Sequence, residues 1–123
     1  MSYHHLDPDD IDSDEGQSAT RRSIADHLGL TKLGINLYEI APGEQSPLRY
    51  YYYTEQEEVF YIIEGDLHVD TEEGEYVVRR SKLFVTEPGS PQRAYNPGDA
   101  EDVVRTLAIG APPVDDYEFP DRE

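Results

Sequence analysis

Four consecutive tyrosines, Tyr50 to Tyr53, stand between Arg49 and the acidic stretch that ends at Glu57 and Glu58. These are the side chains whose types and spacing suit chemistry. On a strand, residues i, i+2 and i+4 share a face, so Arg49, Tyr51 and Tyr53 point one way and Tyr50 and Tyr52 the other. A guanidinium offers a planar fork to a carboxylate or phosphate, and phenols offer apolar faces with hydroxyl tips. A carboxylate taken out of water, as Glu58 would be on a buried strand, becomes a weaker acid that can take and return a proton near neutrality. Four tyrosines in a row also make an ordinary packed strand, so a structural role stays open beside the chemical ones.

The elements that must position these groups are strands. Leu33, Ile35 and Leu37 alternate with Gly34, Asn36 and Tyr38, and Ala41-Pro42-Gly43 breaks the pattern. Val59 to Ile63 is a dense β-branched and aromatic run closed by Glu64-Gly65-Asp66, after which Leu67 and Val69 resume. Further strands are expected at Glu75 to Val78, Leu83 to Thr86 and Val103 to Ile109, separated by Glu72-Glu73-Gly74, Glu87-Pro88-Gly89 and Asn96-Pro97-Gly98-Asp99. Short strands with glycine and proline between them indicate an all-β sandwich or barrel, and no helical stretch long enough for a βαβ unit interrupts them. The expected organisation is an acidic N-terminal arm at 1–17, a short N-terminal helix at 18–30, a barrel at 31–113 and an acidic C-terminal tail at 114–123. The helix rests on candidate caps Ser18 and Thr20, on Ile24 and Leu28 four apart, and on Gly29 as terminator. The arm has almost nothing apolar to bury, so it is expected to be mobile or laid over a partner. Tyr117 and Phe119 could anchor the tail.

The spacing around the tyrosines resembles that of the small single-domain cupins, of the cupin type-2-like kind. Their first motif has two histidines one residue apart, three or four residues, a glutamate, six residues and a glycine; Tyr51, Tyr53, Glu58 and Gly65 fall into that frame. The preceding glycine departs from it, because seven residues separate Gly43 from Tyr51. The second motif of the family is matched at Gly89 and Asn96, with Ser81, Glu87 and Gln92 in its other places. The resemblance covers Tyr38 to Ile109 and implies a jelly-roll β-barrel. It also implies that the family's metal-binding histidines are replaced here by Tyr51, Tyr53 and Gln92, with Glu58 kept. A phenol must lose a proton of pKa about 10 before it binds a metal well, and an amide carbonyl is a weak donor, so no metal and no other cofactor is expected. A metal ion at the degenerate site, such as ferric iron on phenolates, is the weak alternative.

In the cupin register the inward set is Arg49, Tyr51 and Tyr53, joined by Glu58, Phe60 and Ile62 and by Gln92. Three readings follow. The first is a binding site for a small polar or anionic molecule formed by Arg49, Tyr51, Tyr53, Glu58, Phe60 and Gln92. The second is an interaction protein whose pocket is filled by packed tyrosines. The third is a metal-independent isomerase or epimerase, with Glu58 as base and Tyr51 or Tyr53 as proton donor; an enzyme is the less expected outcome. A buried Glu58 paired with Arg49 would satisfy both without any ligand. Arg93 and Tyr95 should face away from Gln92 and could serve a contact between sheets or copies. His4 and His5 on the arm, His27 on the helix and His68 on a strand lack second ligands at useful spacing.

Composition bounds the partners. The 123 residues carry 27 acidic and 10 basic side chains, a formal net charge of -17, and Lys32 and Lys82 are the lysines. Such self-repulsion is relieved when salt shortens the screening length to roughly 3 Å at about 1 M, so a haloarchaeal, cytoplasmic protein is expected, with an acidic interaction surface on a mesophilic protein as the alternative. Nucleic acid and membrane are not expected partners, because the excess charge repels phosphate. No cysteine is present, which removes disulfides and thiolate metal sites. A homodimer is expected from the resemblance.

Overall fold

The computed structural model describes residues 1–14, 19–113 and 117–120, with backbone alone for 46–50 and 117. Strands β1 (Thr20–Ser23), β2 (Gly34–Ile40), β9 (Val104–Ala111), β4 (Glu57–Glu64) and β7 (Leu83–Thr86) form one sheet in the order β1-β2-β9-β4-β7. The second has the order β10-β3-β8-β5-β6, from Tyr117–Glu118, Gln45–Tyr53, Gln92–Tyr95, Leu67–Thr71 and Gly74–Val78. All the strand pairs are antiparallel. The two sheets face each other over Ile40, Phe60, Ile62 and Val104 from the first and Leu67, Val69, Val78 and Ala94 from the second, which gives the expected jelly roll. Gly65 makes the turn from β4 into β5 at φ 78°, where a Cβ would come within 2.8 Å of the Val103 carbonyl oxygen. Only glycine combines that backbone with that approach.

The first sheet is covered on its outer face as well. A single-turn helix, α1 (Ile24–Leu28), brings Ile24 and Leu28 onto Ile35, Leu37, Ile63 and Leu107, and Ile11 joins them. Leu37 therefore lies on the outer face while Tyr38 and Ile40 face the barrel interior. Period-two patterning does not reveal which face a cover will occupy.

Two expectations about the N-terminal part are corrected. The helix does not run over 18–30: Thr20 to Ser23 pair instead with Glu39 to Asn36, and Ser23 is the N-cap residue. Arg22 gains the Ile11 carbonyl at 3.1 Å and Glu39 Oε1 at 2.9 Å in that position, contacts no isolated helix supplies. Gly29 does end the helix, in the left-handed conformation. The described arm, 1–14, folds onto its own sheet through buried Ile11, an Arg105 to Asp9 pair at 3.0 Å and a bridge between Asp14 and Arg21. Ser18, the other expected cap, lies outside the described residues, as do 114–116 and 121–123 of the tail. Sheet structure extends beyond the expected 31–113 at both ends, since β1 precedes it and β10 pairs Tyr117 and Glu118 with Tyr53 and Tyr52.

Candidate functional site

Three strands deliver the central side chains. A bulge in β3 between Ser46 and Tyr51 brings Tyr51 opposite Gln92 at the start of β8. Glu58, near the start of β4, lies across from Thr86 of β7 and Gly110 of β9 in the other sheet. Tyr51 donates its hydroxyl proton to Glu58 Oε1 at 2.6 Å, and Gln92 Nε2 donates to the Tyr51 hydroxyl at 2.9 Å. All three side chains are buried, so this chain of hydrogen bonds ties the two sheets together in the interior. Burial, partly opposed by the Tyr51 hydrogen bond, pushes the Glu58 carboxyl up to about 7. Burial and the nearby Glu58 carboxylate push the Tyr51 phenol well above its ordinary value.

The direction of the chain follows from the donors. With the Tyr51 proton committed to Glu58, its oxygen accepts from Gln92, which turns the amide nitrogen inward. Gln92 Oε1 is then left buried without a partner among the described residues. Gln92 also lines a cleft of about 990 Å³ between β6 and β7, the edge strands of the two sheets. At the Gln92 end the cleft holds Glu72, Glu73 and Glu87, and at the β6–β7 turn it holds Arg79 and Lys82. Tyr76 and Phe84 join across it with ring centroids 5.3 Å apart.

Of the six predicted ligand residues, Tyr51, Glu58 and Gln92 meet in one network. Tyr53 packs edge-on to Tyr51, at 5.3 Å and 88°, and Phe60 belongs to the core between the sheets. Arg49 lies on β3, but its side chain falls outside the described residues, as does any pairing of it with Glu58. Arg93 and Tyr95 face away from Gln92 as parity requires: Arg93 reaches Gln45 and Asp70, both at 2.6 Å, and Tyr95 donates to Glu75. His68 stands 3.8 Å from Glu75 on that same outer face. Sequence reasoning missed the cleft residues Arg79, Lys82, Tyr76 and Phe84, whose signal was two consecutive short strands without a covering element. Asn96, matched to the family's second motif, donates to the carbonyls of Ile40 and Asp102 at 2.9 and 2.8 Å and so fixes the loop before β9.

A two-sheet jelly roll with this network at one end of its interior is matched by the model of the cupin domain over residues 36–109. The chain belongs to the cupin family. Among solved structures, this cupin is similar to a sugar phosphate isomerase of the cupin superfamily from Silicibacter pomeroyi, at 22% identity and a TM-score of 0.77, covering 96% of this chain and 82% of that one. A putative sugar phosphate isomerase from Acidithiobacillus ferrooxidans gives 23% and 0.73, with coverage of 85% and 66%, so the chain spans just under two thirds of it. KdgF from Halomonas sp. gives 14% and 0.77, covering 94% and 98%. At these identities the likeness is one of fold. No curated protein sequence matches significantly.

The donors at the centre do not fit the divalent ion that the family commonly holds on imidazoles. Tyr51 keeps its proton and spends it on Glu58, and Gln92 presents its nitrogen to Tyr51. Among the described residues no three histidine, cysteine or acidic side chains gather around one point. What the arrangement offers is an amide carbonyl awaiting a donor, backed by an acid that ionises near neutrality.

Proposed function

We propose that this cupin binds a small polar molecule bearing hydroxyl or amine hydrogens at the Gln92 end of the cleft, without the family's metal ion. The observation that carries this reading is the buried, unpartnered Gln92 Oε1. Leaving such a carbonyl unmade costs about 1–3 kcal/mol, and a ligand donor removes that cost. Tyr51, Tyr53 and Gln92 stand where the family's histidines would be, so the metal site is replaced by a hydrogen-bonding one. Glu72, Glu73 and Glu87 favour a neutral or cationic group at this end, while an acid group on the same molecule has Arg79 and Lys82 at the other end of the cleft. Two similar structures bear the name sugar phosphate isomerase, and a sugar phosphate has both kinds of group.

A second reading is favoured by Glu58 at about 7. In it the protein is a metal-independent isomerase or epimerase, with Glu58 taking the proton and Tyr51 or Tyr53 supplying one. The acid-rich, lysine-poor composition suits the salt-rich cytoplasm of a haloarchaeon.

The test is a thermal-shift comparison of D-ribose, glucose 6-phosphate and inorganic phosphate on wild type and Gln92→Leu. A shift with a sugar probe that disappears in the variant supports the proposal. No shift with any probe, or one the substitution leaves unchanged, refutes it. Stoichiometric metal in protein purified without chelator refutes the metal-free part.

A further inference from the structure

The register of β6 and β7 decides which of their rings belong inside. Tyr76 stands opposite Val69 and Phe84 opposite Phe60, and Val69 and Phe60 lie in the core between the sheets. Side chains directly opposite share a face, so both rings point inward. Phe84 is half-buried, yet Tyr76 is 46% exposed, because the sheets part at their β6 and β7 edges and the cleft opens on its ring. The two rings meet at 5.3 Å with 59° between their planes, which closes the core beneath them and leaves no slot between them. The ring surface left to solvent is an aromatic floor part-way along a cleft whose ends are polar.

The backbone fixes the order of groups along that floor. Gln92, opposite Thr71, lies at one end with Glu72 and Glu73 of the β5–β6 turn. Tyr76 follows Gly74 by two residues, about 7 Å at the usual rise of a strand, and Arg79 follows Tyr76 by three, about 10 Å. Acceptor, ring surface and cations therefore come in line. Gln92 Oε1, buried and without a partner among the described residues, needs an N–H or O–H, and the carboxylates near it favour an amine over a carbonyl. At the other end Lys82 is exposed, and Arg79 has an exposed pair with Asp66 at 3.1 Å, which water already weakens and a phosphate can share. A bare sugar phosphate matches the two ends and leaves the floor uncovered.

We propose that the ligand is a nucleoside phosphate whose base carries an amine. The base lies on Tyr76 with its amino edge toward Gln92 Oε1, and the phosphate reaches Arg79 and Lys82. Stacking supplies affinity to any base, and the amine supplies the choice among them. A cleft of about 990 Å³ is at the large end for small-molecule sites, which favours an aminopurine over a single ring. This inference rests on the reading that Gln92 receives a ligand donor, and adds the ring and the phosphate to it.

Isothermal titration calorimetry on the full chain in KCl tests it with three probes: adenosine 5′-phosphate, purine riboside 5′-phosphate, which keeps the ring without the amine, and ribose 5-phosphate, which has neither. Adenosine 5′-phosphate should bind about tenfold more tightly than ribose 5-phosphate, and Tyr76→Leu should bring the two within about twofold. It should also bind about tenfold more tightly than purine riboside 5′-phosphate, a preference that Gln92→Leu removes. Equal binding of adenosine 5′-phosphate and ribose 5-phosphate by wild type, or a preference that survives Tyr76→Leu, overturns the stacked base. The Gln92 reading then still stands if Gln92→Leu abolishes ribose 5-phosphate binding. Adenosine bound as tightly as its phosphate overturns the placing of the phosphate. No binding of any probe overturns both this inference and the reading beneath it.

Discussion

Glu58→Gln should make the protein more stable above neutral pH and no more stable in acid. The Glu58 carboxyl is raised from 4.5 to about 7 in the folded protein, so the folded state holds its proton where the unfolded chain has lost it. An acid raised in this way contributes stability that is fully present below its unfolded value of 4.5 and is lost as pH rises through the folded value of about 7. The difference of about 2.5 pH units, at about 1.36 kcal/mol each, comes to about 3 kcal/mol lost between those limits. Glutamine has nearly the same shape, keeps an oxygen for the Tyr51 hydroxyl and never ionises. Its amide hydrogens still need an acceptor in a buried place, which costs about 1–2 kcal/mol at every pH. The net expectation is a gain of about 1–2 kcal/mol for the variant at pH 8, and a loss of similar size at pH 4. Urea unfolding of both proteins at fixed KCl from pH 4 to 8 gives the difference directly, since all other titrating groups are shared. A difference that stays constant across that range would refute the assignment of Glu58 as a buried acid ionising near neutrality.

Three further outcomes follow from the same contacts. Tyr51→Phe should cost about 1–3 kcal/mol and raise the Glu58 carboxyl further, because the hydroxyl that donates to it is gone; side-chain carboxyl carbon shifts in NMR would follow the titration. Leu37→Ala should cost about 2–4 kcal/mol in urea unfolding, since Leu37 is 2% exposed between β2, α1 and Ile11, and a change below about 1 kcal/mol would argue against that cover. Stability should climb from about 0.1 M to about 2 M KCl as the charge of -17 is screened, and a flat thermal-unfolding response would contradict the halophilic reading.

Much of this was legible in the sequence because turns and alternation are local properties. The strand from Val59 to Ile63, the glycine at Gly65 and the meeting of Tyr51, Glu58 and Gln92 all follow from parity and motif spacing. Thr20 to Ser23 were misread because their helix signals are local, whereas the ladder with β2 and the reach of Arg22 to Glu39 depend on residues far along the chain. Ile11 was overlooked for a related reason: one apolar residue among aspartates cannot order an arm alone, yet it fits a hydrophobic cluster built by four other segments. The cleft was invisible because it is made by what does not pair, the outer edges of β6 and β7.

The bulge in β3 bears on how this protein can change over time. Between the pairs Ser46 with Ala94 and Tyr51 with Gln92, β3 advances five residues while β8 advances two. The excess is odd, and it is the reason that Ser46 and Tyr51, five apart, sit opposite inward-facing residues. Loss or gain of one residue in this stretch would turn Tyr51 outward and bring Tyr52 in, breaking the link to Glu58 and Gln92 at a stroke. Loss or gain of two would keep every side chain on its face. Length variation among descendants of this chain should therefore come in pairs of residues here, while the turns elsewhere are free to vary by one.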